Sequence, residues 1–272
     1  LSVFIMIISS IFIVVISWIV FKSLNSGQKS KQNENLTSSF DSDFTTLNDV
    51  VKTIEEEHLD LSDYIIGIDY SVNNTSMGNS SFSGKSLHNC KVTAAGRAIL
   101  NPYQQVFKVL DSIIIPKQSK VLKLYGIGNV ISSKEQKEIE TNSLLSCYQK
   151  LTQSIVLSEN ISIIPIIENT ILLSKDRNKH IILLIVTPKL SINLETYKSL
   201  SSTNDYPITI IFIGVGDSPF TASTQKELNS LHNVFGIDFT QLRQRYATDP
   251  DILFVKEMLK QIDIHKQQLK ND

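Results

Sequence analysis

Two stretches constrain this chain more than any other feature: HIILLIV at His180–Val186 and ITIIFIGV at Ile208–Val215. Each is an almost unbroken apolar run, rich in isoleucine and too short for an ordinary helix. A strand with one wet face alternates apolar and polar residues, whereas an unbroken run needs cover on both faces. Two such strands predict an interior, mostly parallel sheet with helices packed above and below it.

The remaining sequence supplies the crossovers that parallel strands require. Helical patterns fall at Phe44–His58, Tyr103–Ile114, Glu138–Leu151, Ile163–Ser174, Leu194–Ser201, Thr224–Leu231 and Asp251–Ile264. Shorter strand patterns fall at Tyr64–Ile68 and Val121–Ile127. In the first helix Leu47, Val50, Val51 and Ile54 share a face, and Thr45 or Thr46 is placed to cap its start. Asn101-Pro102 opens the second helix, and Pro165 is acceptable only in the first turn of its own. The alternation reads as a doubly wound α/β domain in three layers. The chain has 272 residues, 42% of them hydrophobic, which is enough to bury a sizeable core.

The N-terminal end has a different character. Leu1–Phe21 carries no charge and is mostly Ile, Val and Phe. As a helix it spans roughly 31 Å, enough for a bilayer core of about 30 Å. A transmembrane anchor is the preferred reading; a cleaved signal peptide is its main rival and a buried helix the third. Lys22, Lys29 and Lys31 follow the run, which places the domain on the cytoplasmic side. Residues 22–43 are rich in Ser, Asn, Gln and Lys and read as a flexible tether, leaving 44–272 as the folded domain.

Several functions are disfavoured. Net charge is −1 and no dense basic patch occurs, so no nucleic-acid partner is expected. There is no G-x-S-x-G elbow, Cys–His pair, P-loop or clustered metal-ligand spacing, so a catalytic role is not expected. Cys90 and Cys147 are far apart in sequence and read as free thiols, buried or half-buried, with a disulfide between them as the alternative. Asn35, Asn73, Asn74, Asn79 and Asn160 begin N-x-S/T sequons, expected by chance in a chain rich in Asn, Ser and Thr.

The chemistry-bearing segment is IIGIDYSVNNTSMGNSSFSGKSLH, Ile65–His88. It begins as a buried strand and ends in a polar loop, with Asp69 at the junction. In an α/β sheet, ligands sit at such carboxyl ends of strands. Asp69 can serve a metal or, alternatively, tether the loop by accepting backbone N–H groups. Ser71 and Asn73 suit the turn that follows. Gly84 suits a positive φ. Lys85 and His88 read as solvated loop residues, with the rim of the site as the alternative, His180 as a strand cap, and Asp217 as part of the turn after its strand.

The segments IIGIDYS, FSGKSLH, NPYQQVFKVL, LYGIGN, IIPII and IFIGVGDSPF, in this order, resemble copine-type von Willebrand factor A domains. The resemblance is strongest to the copine-like domain of plant-type RING ubiquitin ligases. The helix before the first strand and the tail, FGIDFTQL then FVKEMLKQI, belong to it, and it covers about Phe44–Lys270. It implies a mainly parallel sheet wrapped by helices and a metal-ion-dependent adhesion site on the loops. By that resemblance Asp69 and Ser71 match the first metal loop, and Asn73 replaces its last serine. Ile161 stands where relatives carry a metal-binding Thr, and Thr187 where they carry an Asp. One carboxylate remains where Mg²⁺ prefers six well-placed oxygens and more charge. The resemblance therefore implies a degenerate site: no cofactor is expected, and Mg²⁺ binding is weak or absent. The RING's clustered Cys and His residues and the copine C2 domains are not seen, so ligase activity of its own is not expected. The expected role is a membrane-tethered protein-binding module with an unidentified protein partner. The alternative is a degenerate ligase-family member acting through a separate RING protein, with ubiquitin-pathway partners.

Overall fold

A computed structural model of the chain describes residues 38–41, 43–59, 63–92, 98–114, 122–128, 137–139, 143–159, 161–177, 179–245 and 249–271. The expected membrane segment, 1–21, lies outside the described residues. Among the described residues no helix is long and apolar enough to cross a membrane. Ser39–Asp272 forms one compact unit.

Its elements follow in chain order: α1 (Leu47–Glu56), β1 (Tyr64–Asp69), β2 (Lys91–Val92), β3 (Ala98–Ile99), α2 (Pro102–Ile114), β4 (Leu122–Ile127), β5 (Lys137–Ile139), α3 (Leu144–Thr152) and α4 (Ile164–Arg177). Then come β6 (Ile181–Thr187), α5 (Leu194–Ser201), β7 (Ile208–Gly214), α6 (Ala222–Leu228), β8 (Val234–Asp238), α7 (Phe239–Arg245) and α8 (Pro250–Asn271). The central sheet has the order β5-β4-β1-β6-β7-β8. All its pairings are parallel except β4 with β5.

The unbroken apolar runs become β6 and β7, buried at every position, and β1 beside them is buried likewise. Successive side chains point to opposite faces, so one run feeds two cores. Ile66, Ile68, Ile182, Leu184, Val186, Ile211 and Ile213 pack on one face with α1, α2, α3 and α8. Ile65, Leu183, Ile185, Ile210 and Phe212 pack on the other, against Ile166 and Ile167 of α4, Leu200 of α5 and Leu228 of α6. Each fully buried aliphatic side chain is worth about 1.5–3 kcal/mol, so these strands form the energetic centre of the domain.

The helix starts follow local chemistry. Thr46 caps α1 in a capping box with Asp49. At α2, Asn101 Oδ1 accepts the Gln104 N–H at 2.8 Å and Gln104 Oε1 accepts the Asn101 N–H at 2.8 Å. Pro102 follows in the first turn, as expected.

Several elements differ from the sequence expectation. The helix expected from Glu138 starts only at Leu144, and Lys137–Ile139 instead pairs antiparallel with β4. Ser143 caps the observed start: its side chain accepts the Ser146 N–H at 3.1 Å. β8 and α7 were not expected; β8 is a short edge strand with one sheet neighbour. α6 ends three residues earlier than expected, and α8 runs on to Asn271. Ser39–Asp41, expected within the tether, forms a short 3-10 turn with Phe40 fully buried in the core. Lys260 Nζ pairs with Asp41 Oδ1 at 2.6 Å, and Lys256 Nζ donates to the Asp41 carbonyl at 3.0 Å, fastening the turn to α8.

Candidate functional site

The carboxyl ends of β1, β6 and β7 face a pocket of about 340 Å³. Asp69, Asn73, Glu159, Ile161, Thr187 and Lys189 are among its lining residues. Sequence reasoning placed Asp69, Asn73, Ile161 and Thr187 together, and the fold brings them to this one pocket. Glu159 and Lys189 carried no sequence signal beyond their nearness to Ile161 and Thr187.

Asp69 ends β1 and is only 3% exposed. Both its carboxylate oxygens are engaged by the chain itself. Oδ1 accepts the Ser71 backbone N–H at 2.7 Å, and Oδ2 accepts the Thr187 hydroxyl at 2.7 Å. Burial drives the Asp69 carboxyl above the usual carboxylate range, and the Ser71 and Thr187 hydrogen bonds oppose that rise. β1 and β6 are neighbours with Ile68 opposite Val186, which puts Asp69 and Thr187 next in register. Ser71 is fully buried, and its hydroxyl oxygen has no hydrogen-bond partner.

The Asp69 backbone carbonyl anchors a second layer beneath the pocket. It lies 2.9 Å from Asn74 Nδ2, 2.9 Å from His88 Nε2 and 3.0 Å from the Tyr103 hydroxyl. Asn74 Nδ2 also donates to the Ser71 carbonyl at 3.0 Å, and Asn74 Oδ1 faces the Tyr103 hydroxyl at 2.8 Å. Because Nε2 of His88 faces a carbonyl, that nitrogen carries the proton. Nδ1 then accepts from the Tyr148 hydroxyl at 2.8 Å. The imidazole is stacked between Tyr70 and Tyr103, at centroid distances of 4.8 and 4.2 Å. Burial lowers its pKa to about 4, against the hydrogen bond to the Asp69 carbonyl, which favours the charged form. His88 is therefore a neutral, buried support and not the solvated loop residue expected. Its partners Tyr70, Tyr103 and Tyr148 come from three separate segments, so nothing local in FSGKSLH marks the burial.

Other expectations fall as follows. Lys85 is exposed, and Gly84 has a φ of 69°. Asp217 holds the polar loop by accepting the Ser80 and Ser81 backbone N–H groups, each at 2.7 Å. His180 Nε2 lies 2.7 Å from Thr209 Oγ1 on β7. Both cysteines are free; Cys147 is buried, whereas Cys90 is exposed, contrary to expectation.

As a divalent-cation site the donor set is poor. It offers one carboxylate with both oxygens already engaged, one buried hydroxyl at Ser71 and the amide of Asn73. Ile161, 37% exposed, contributes no donor atom. Among the described residues no group of three or more His, Cys, Asp or Glu side chains is placed to hold a metal. These residues do not fit a tightly held Mg²⁺, which needs more charge and near-octahedral oxygens.

The fold and loop face define an α/β domain of the kind that presents a ligand site at the carboxyl ends of parallel strands. Residues 86–259, more than half of the chain, match the family model described as Copine, and the chain belongs to the copine family. It is 29% identical over 191 residues to Copine family protein 2 of Caenorhabditis elegans, covering 65% of this chain and 2% of that protein. It is 24% identical over 253 residues to the E3 ubiquitin-protein ligase RGLG5 of Arabidopsis thaliana, covering 82% of this chain and 57% of that one. The chain thus spans less than two thirds of either relative. Among solved structures, the SpRpn10 VWA domain is similar with a TM-score of 0.46 and 10% identity, covering 65% of this chain and 87% of that one.

Proposed function

We propose that this domain is a non-catalytic protein-binding module of the copine type, whose contact face is the loop face around Asp69 and whose metal site is degenerate. The observation that carries this reading is the hydrogen bond from the Thr187 hydroxyl to Asp69 Oδ2, 2.7 Å long, at a position where a second carboxylate is expected. The pocket mouth keeps features of a contact face. Ile161 is 37% exposed there, beside the charged Glu159 and Lys189. Calorimetric titration of the purified protein with Mg²⁺ and Mn²⁺ tests the reading. No binding tighter than millimolar is expected; sub-millimolar affinity abolished by Asp69→Ala would sink it.

The uncharged run at 1–21 supports a single-pass membrane tether, and the lysines after it support a cytoplasmic domain. Mass spectrometry of the mature N-terminus checks the tether: an intact apolar run is expected, and a cleaved one makes the domain a released protein.

A second reading is an accessory member of the ubiquitin-ligase relatives, acting through a separate RING protein. Its support is the match to RGLG5 over 82% of this chain. Proximity labelling in cells separates the two. Ubiquitin-pathway proteins among the labelled partners favour the second reading, and their absence favours the first.

A further inference from the structure

We infer that the Thr187 hydroxyl does the work of a cation in this pocket: it latches the β1 loop to the β6 loop, and restoring one carboxylate at position 187 converts the pocket to a divalent-cation site. The inference rests on the degenerate-site reading and extends it from loss of a metal to replacement of a metal. Thr187 and Asp69 are each 3% exposed, and their side chains meet at 2.7 Å across neighbouring strands. Thr187 is itself fixed. Its carbonyl accepts the Val215 N–H at 3.0 Å, tying it to the end of β7, and its Oγ1 lies 3.3 Å from the Lys189 N–H. A hydroxyl has one proton and spare lone pairs. Its one proton has two acceptors in reach, Asp69 Oδ2 at 2.7 Å and the Lys189 carbonyl at 3.1 Å; the shorter contact, to the buried carboxylate, is the latch.

This arrangement explains why a cation gains little. Entry would displace the Thr187 donor from Asp69, strip water from the ion and return only one negative charge. With Asp at 187, two carboxylates would face each other on adjacent buried strand ends. Like charges so placed cannot both ionise comfortably without a counter-ion. A divalent ion between them would also find the Asn73 amide on the pocket wall.

The test uses the full chain purified in mild detergent, with thermal unfolding followed in EDTA and in millimolar MnCl₂. The wild type is expected to unfold at the same temperature in both. Thr187→Asp is expected to unfold several degrees lower in EDTA and to recover in MnCl₂, with Mn²⁺ affinity at least about tenfold tighter than wild type. Thr187→Asp combined with Asp69→Asn is expected to lose that response. Thr187→Ser keeps the hydroxyl and should match the wild type, whereas Thr187→Val should lose stability that Mn²⁺ does not restore.

A Thr187→Asp protein indifferent to Mn²⁺, or unfolded in its presence, overturns the conversion and leaves the degenerate-site reading standing. Thr187→Val as stable as wild type overturns the latch. Stabilisation of the wild type by Mn²⁺, abolished by Asp69→Asn, overturns the degenerate-site reading itself.

Discussion

Asn74 begins a sequon in a run of polar residues, and by sequence alone it belongs to a solvated turn. In the fold it is fully buried and spends its amide completely: Nδ2 on the carbonyls of Asp69 and Ser71, Oδ1 on the Tyr103 hydroxyl. Asn74→Ala leaves the Ser71 carbonyl without that donor and the Tyr103 hydroxyl without that acceptor. Such losses inside a core cost about 2–3 kcal/mol in total. Urea unfolding of the purified protein should show that drop. Asn74→Asp should be worse, because a carboxylate cannot donate to two carbonyls and adds a charge beside Asp69. A change under about 0.5 kcal/mol would mean the loop is not held through this residue. The same layer shows why Asp69 was legible and His88 was not. Asp69 ends a buried run, and that local change of character is visible in sequence. His88 sits among Ser, Gly and Lys, and it is buried because Tyr70, Tyr103 and Tyr148 close on its ring from distant segments.

The same contrast holds among the elements. β6 and β7 were readable because an unbroken apolar run has few alternatives once its length excludes a helix. β5 and β8 were not, since each is short and pairs with one neighbour only. The start of α3 was misplaced because the helix is fixed by a group from another element. Asp111 on α2 accepts the Leu144 N–H at 2.6 Å, the Leu145 N–H at 3.3 Å and the Ser143 hydroxyl at 2.8 Å. A carboxylate on free N–H groups at a helix start satisfies donors that have no partner within the helix and complements the helix dipole. Asp111→Ala should therefore destabilise the domain by about 1–2 kcal/mol. Amide hydrogen exchange gives the sharper readout. Protection should fall in the first turn of α3, at Leu144–Ser146, while the α2 amides stay protected. Equal loss in both helices would mean that the carboxylate supports α2–α3 packing rather than the helix start. Phe40 belongs to the same class of surprise. It lies among Ser and Asp residues and gains its place through α8 and α1, elements that follow it in the chain. Phe40→Ala should cost about 3–5 kcal/mol, measured by urea unfolding, if the turn is part of the folded unit.

At the scale of the whole molecule, two buried histidines couple stability to pH. His88 supports the pocket from below. His265, on α8, meets Thr209 of β7 at 2.7 Å, and Thr209 in turn meets His180 at the start of β6. Burial lowers the pKa of His88 to about 4, and burial with the nearby His232 charge lowers that of His265 to about 4. The unfolded chain takes up a proton on each near the ordinary value of about 6.5. Between these values the unfolded state binds more protons, so folding is favoured by rising pH. The stability is fully present above about pH 6.5 and is lost as pH falls towards 4, by about 2 kcal/mol per histidine at pH 5. Asp69 and Asp238 work in the opposite sense, because burial raises both carboxyls above their usual range. Between the ordinary carboxylate value and their raised ones, the folded state binds more protons, and lowering pH stabilises it. Histidine substitutions separate the two contributions. Urea unfolding at about pH 7.5 and about pH 5 should show a loss in the wild type, and His265→Gln should roughly halve it. His265→Gln also removes a ring packed between α8 and the sheet, so its stability at neutral pH falls; the readout is the difference between the two pH values. If that difference is unchanged in His265→Gln, the imidazole is not held neutral in the fold, and the contact between α8 and β7 must accommodate its charge.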